Sequence, residues 1–107
     1  MSLDFYLEEM QPVAVFDANI THNLNTMADE AGIYQALWRP EEIGATVGRD
    51  LIPVLQAGLA RLVAHPKRFK AFNPENGWGS YAGLVKFARS VLAACEDNPD
   101  ATIRVSR

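Results

Sequence analysis

A chain of 107 residues with 49% hydrophobic and 21% charged residues has the composition of a globular domain, not of a disordered segment. Its formal charge of −3 supplies no long-range attraction for nucleic acid, and its one cysteine excludes an internal disulfide and a cysteine-built zinc cage. No apolar run approaches the roughly 18 residues that span a bilayer, and the opening "MSLDFYLEEM" lacks the basic head of a secretory signal. A single cytoplasmic domain over residues 1–107 is the expectation, away from membranes.

Along the chain, Leu3, Phe5 and Leu7 alternate with Asp4, Tyr6 and Glu8, the period of a strand with one buried face. Pro12 interrupts. "VAVFDANI" (13–20) reads as a second extended piece, with Val13, Val15 and Asp17 on one side, joined to the first by a hairpin. From Thr21 the period becomes helical through Leu24, Met27, Ala28 and Ala31, and Gly32 is placed for a left-handed cap. "IYQALW" (33–38) predicts a short helical turn, and "RPEEIGATVG" (39–48) a loop, since a residue before proline leans towards extended backbone.

A longer helix is predicted over about 49–65, with Leu51, Leu55, Leu59 and Leu62 inward, Ile52 and Val63 flanking, and Pro53 in the tolerant first turn. "HPKRFKAF" then makes a helical turn that buries Phe69 and Phe72. The cations of "KRFK" read as a solvated helix end, so binding of nucleic acid is not expected. After the turn formers of "NPENGWG" (73–79), Ser80 caps a last helix with a stripe of Tyr81, Leu84, Val85, Ala88, Val91, Leu92 and Cys95. "ATIRVSR" alternates as a closing strand. The order predicts an α+β fold: a small antiparallel sheet of two or three strands from the two ends of the chain, with three or so helices on one face.

Three segments hold the chemically expressive residues: "ANITHNL" (18–24), "LWRPEE" (37–42) and "NPENGWG" running on to Tyr81. Thr21 is the best helix cap, and Leu24 stands where a capping box would need Glu or Gln. His22, near the positive end of a helix, is best neutral there, and serves recognition or acid–base work if it does not simply brace a loop. For Asn19 and Asn23, bracing of the backbone is preferred over ligand contact. Trp38 and Arg39 pair an indole that can stack on a flat ring with a guanidinium that can hold a phosphate or carboxylate. Trp78 and Tyr81 supply the opposing wall, although a small domain commonly buries its tryptophans.

Catalytic signals are thin. Cys95 sits on an apolar helical stripe as a small hydrophobe, and neither HExxH nor Gly-x-Ser-x-Gly occurs. His22 and Asp17 would need remote carboxylates to hold a metal, so no metal and no cofactor are expected.

The blocks "NITHNLNTMADEAGIYQALWRPEE", "FNPENGWGSYAGLVKF" and "CEDNPDATIRVSR" resemble, in this order and over nearly the whole chain, an uncharacterised family of small bacteriophage and prophage proteins. The resemblance implies an accessory phage-type protein of a bacterial cytoplasm. It draws attention to Asn19, Thr21, His22, Asn23, Trp38, Arg39, Pro40, Asn76, Gly77, Trp78 and Gly79.

The reading that follows is a non-catalytic binding module for a small anionic or nucleotide-like ligand, which the phage setting extends to counter-defence. Its site would be His22, Asn23, Trp38, Arg39, Asn76, Trp78 and Tyr81 around one cleft. The alternative is a protein-interaction module acting on a host or phage protein, with exposed loop aromatics as anchors. A small hydrolase with His22 as base ranks third, having no visible nucleophile. A homodimer is the common default for so small a chain.

Overall fold

The computed structural model describes residues 1–10 and 13–107; the predicted turn at Pro12 lies outside them. Three antiparallel strands, β1 (Ser2–Met10), β2 (Val13–Thr21) and β3 (Thr102–Ser106), form a sheet in the order β2-β1-β3. The first strand is therefore central, hydrogen-bonded on one side to its neighbour in sequence and on the other to the far end of the chain. Between β2 and β3 come α1 (Asn25–Glu30), α2 (Tyr34–Trp38), α3 (Ile52–Ala64), α4 (Pro66–Lys70) and α5 (Tyr81–Asp97). Tight 3-10 turns at His22–Leu24, Pro40–Ile43 and Gly48–Leu51 link several of them.

Period-two alternation places Leu3, Phe5 and Leu7 on the inner face, all fully buried. Register then decides β2. Leu3 opposes Ile20, Phe5 opposes Ala18 and Leu7 opposes Phe16, and directly opposed residues share a face. The inward set of β2 is therefore Phe16, Ala18 and Ile20. Asp17, predicted to share a side with Val13 and Val15, is on the outward face, whereas Val15 lines a groove with Phe16 and with Ala94 of α5. A bulge adds Val15 between Phe16 and Ala14, which faces Glu8. In β3, Val105 and Ile103 continue the inner face opposite Phe5 and Leu7.

All five helices contribute to the one hydrophobic cluster beneath that face. Leu51, Leu55, Leu59 and Leu62 are buried as their spacing predicts, but Val63 is 51% exposed, because at 100° per residue it lies past the edge of the Leu stripe. Gly58 is where α3 meets the turn after α1: a Cβ there would overlap the Ile33 side chain and approach the Ala31 carbonyl at 3.2 Å. Gly32 takes the left-handed φ of +80° expected of a helix stop. Ser80 caps α5 by accepting the Gly83 N–H at 3.1 Å.

The two sides of the sheet differ. On the outward face Glu8 is only 3% exposed and accepts a 3.0 Å hydrogen bond from Arg104 Nε, whose guanidinium lies 3.8 Å over the Tyr6 ring. That bond holds the Arg104 pKa above its ordinary value. The far edge of β3 is covered by the loop after α2, where Ile103 N–H donates to Thr46 and Gly48 N–H to Ala101, both at 2.9 Å. Among the described residues, no helix is long and apolar enough to cross a membrane.

Candidate functional site

Thr21 ends β2 and caps the turn that follows, its Oγ1 accepting the Asn23 N–H at 3.3 Å. This accounts for the threonine in "ITHNL". The histidine beside it has a different partner. Trp38 Nε1 donates to His22 Nδ1 at 2.8 Å. An indole N–H can only donate, so Nδ1 carries no proton and the neutral ring holds its proton on Nε2. Trp38 itself is 2% exposed and stacks on Tyr34, ring centroids 5.6 Å apart and 15° from parallel. Its faces are thus committed to packing, and it offers none to a ligand.

Arg39 turns the same way. Its Nε donates to the Tyr34 hydroxyl at 3.3 Å, and Nη1 lies 3.9 Å from Glu42. Tyr34 first, then Glu42, hold its pKa above the ordinary value. Behind it, Arg107 donates to the Trp38 carbonyl at 2.9 Å and to Glu41 at 2.7 Å, tying the segment after β3 to the end of α2.

The third segment meets the first. Asn76 Oδ1 accepts the Trp78 N–H at 3.0 Å, a side-chain turn that fixes the loop. Asn73 Oδ1 accepts the Tyr81 N–H at 2.8 Å. Gly79, with φ +106°, lies so close to Thr21 and Leu24 that an added Cβ would stand 2.8 and 2.9 Å from their side chains. This contact leaves Trp78 70% exposed at the rim of an open hollow of about 530 Å³, lined also by Met1, Ser2, Asn19, Thr21 and Asn23.

The floor of the hollow is the outward face of the β1–β2 ladder, where Ser2 opposes Thr21 and Asp4 opposes Asn19. Asn19 Nδ2 donates to Ser2 Oγ at 2.9 Å and to Asp4 at 2.6 Å, so its side chain braces neighbouring side chains where a backbone contact was expected. The lining side chains are uncharged, and the nearest side-chain charge in this network is the Asp4 carboxylate. Amide, hydroxyl and indole groups can hydrogen-bond and stack there, and no lysine or arginine side chain is among the lining residues.

Of the seven residues predicted to share a cleft, the structure brings Asn23 and Trp78 together at this hollow, with Asn76 bonded to the Trp78 backbone. It joins His22 to Trp38 in the protein body. Arg39 lines no part of the hollow, and Tyr81 lines a different groove beside Val63 and Lys86. The predicted gathering of imidazole, guanidinium and two indoles around one cleft therefore separates into three places. Residue types alone cannot reveal that Trp38 donates inward while Trp78 is held out by its flanking glycines. Nothing in the sequence singles out Ser2, and Asn19 reads as a backbone brace; the floor they form comes from strand pairing. No group of three or more His, Cys, Asp or Glu that could hold a metal is found among the described residues. Comparison with known proteins finds no family model, no curated protein and no solved structure that matches the chain.

Proposed function

We propose that the chain is a non-catalytic binding module whose hollow takes a flat, hydrogen-bonding ring, such as the base of a nucleotide-like ligand. The observation that carries this reading is Trp78, 70% exposed on a loop braced by Asn76 and anchored at Gly79, above a shelf of amide and hydroxyl groups. An indole so placed stacks on a ring while Asn23 and Thr21 meet its edge. No lysine or arginine lines the hollow to clamp a phosphate, so the ring of the ligand is the part it recognises. On the resemblance to phage and prophage proteins, the reading extends to an accessory role such as holding a host signalling nucleotide in counter-defence.

Titration of nucleosides and nucleotides against Trp78 emission tests it, with Trp78→Phe identifying the signal. Quenching and a raised melting temperature are expected, with base identity mattering more than phosphate number. No change with any base-bearing ligand would refute the reading. Trp78 also supports a second reading, a protein-interaction module, since an exposed rigid indole is a common interface anchor. In that case Trp78→Ala, folded as the wild type, abolishes capture of the partner.

A further inference from the structure

A second surface stands out by charge. The stretch from Leu51 to Cys95 holds six of the ten lysines and arginines (Arg61, Lys67, Arg68, Lys70, Lys86 and Arg89) against a single acid, Glu75. The other twelve of the thirteen acids lie elsewhere in the chain. Five cations of the protein, Arg39, Arg49, Arg68, Arg104 and Arg107, have carboxylate partners. Among the described residues, Arg61, Lys67, Lys70, Lys86 and Arg89 have none within ion-pair distance, and all five belong to α3, α4 and α5. Arg61 is used locally, donating to the Ala31 carbonyl at 3.1 Å. Four exposed cations are left unpaired on one helical layer of a net acidic protein.

Two of them, Lys86 and Arg89, line a groove. Between α3 and α5 runs an open depression of about 490 Å³, with Val63, Tyr81 and Val85 as apolar lining and Lys86 and Arg89 at its side. Lys70 stands over the Tyr81 ring, 5.6 Å from the centroid, and Lys67 lies one helical turn earlier on α4. Val63 gives the groove an exposed aliphatic contact. An apolar cleft with unpaired cations along its side is complementary to one kind of occupant, an apolar side chain flanked by carboxylates.

We infer that the α3–α5 groove docks a short acidic peptide segment of a partner protein, with an apolar side chain seated on Val63 and Val85 and its acids facing Lys70, Lys86 and Arg89. A nucleic acid fits less well. The one aromatic here, Tyr81, is only partly exposed, with Lys70 over its ring and its hydroxyl bound to the Leu62 carbonyl, a poor platform for base stacking. A long polyanion would also run beyond the groove onto a surface rich in carboxylates.

Fluorescence anisotropy with the whole chain tests this, using a labelled peptide of alternating Glu and Leu, the same peptide with Lys for Glu, and a single-stranded oligonucleotide of equal length. The acidic peptide should bind, weaken as salt is raised, and lose roughly tenfold or more in affinity with Lys86→Glu/Arg89→Glu. Val63→Asp should weaken it as well, since it places a carboxylate on the apolar contact. Both changes are at exposed positions, and circular dichroism checks the fold. Binding that survives both variants, a preference for the oligonucleotide, or equal binding of the Lys peptide overturns the assignment. Trp78→Ala should leave peptide binding unchanged, so this test stands apart from that of the hollow.

Discussion

Trp38 and His22, sixteen positions apart, are joined by a single 2.8 Å hydrogen bond from indole to imidazole. The bond links the end of α2 to the turn after β2, and it satisfies the one polar atom of the largest fully buried side chain in the core. Replacing His22 by Phe keeps a ring of similar size and removes the acceptor. A buried donor left without a partner costs about 1–3 kcal/mol. Urea denaturation should register a loss of that order, and the Trp38 indole proton should exchange faster with solvent in the variant.

Gly58→Ala should also destabilise, against the usual trend. In an open helix the change gains roughly 1 kcal/mol from propensity. Here the new methyl would overlap Ile33, which is fully buried and cannot swing into solvent. Overpacking of this kind costs about 1–3 kcal/mol, so a lowered melting temperature is expected. A rise would mean that Ile33 repacks freely.

Asp50 carries an acid-side prediction. Its carboxylate accepts the backbone N–H groups of Thr46 and Val47 at 3.0 and 3.2 Å, and these two bonds lower its pKa from 3.8. A folded-state value below the unfolded one gives stability that is present above the unfolded pKa and lost as pH falls through the folded pKa. Asp50→Asn should therefore melt below the wild type near neutrality. The difference should shrink once the pH drops under about 4. A gap that stays constant down to the most acid condition would contradict this.

Cys95 is fully buried on α5, and burial pushes its thiol up to about 11. At neutral pH roughly one molecule in ten thousand carries the reactive thiolate. A disulfide reagent such as DTNB should label the native protein very slowly and the urea-unfolded chain at the rate of an ordinary cysteine. Fast labelling of native protein would place the thiol in reach of solvent.

How much of this was readable from residues depends on whether neighbours or distant partners decide the outcome. The α+β class, the strand at Leu3–Phe5–Leu7, the Leu stripe of α3 and the Ser80 cap follow from local periodicity and capping chemistry, and the structure has them. The inward face of β2 did not follow, because the bulge at Val15 and the register with β1 set its phase. The site divides for the same reason. Thr21 as a cap is a matter of two residues, whereas the burial of Trp38 depends on His22 and Tyr34. The exposure of Trp78 depends on how Gly79 meets Thr21 and Leu24. The basic groove had a visible trace in the near absence of acids from Leu51 to Cys95, but "KRFK" alone read as a solvated helix end because Lys86 and Arg89 come to it only through packing.

The central place of β1 has a kinetic meaning. Its two ladders reach β2 next door and β3 across nearly the whole chain, as the Glu8–Arg104 pair 96 positions apart shows. A hairpin of β1 and β2 can close within microseconds, but the second ladder waits until the intervening helices have collapsed. During synthesis on the ribosome, Leu3, Phe5 and Leu7 spend that interval with one flank of their backbone unpaired. The nascent chain is then most open to wrong pairing with its neighbours, and it remains so until Thr102–Ser106 emerges to close the sheet.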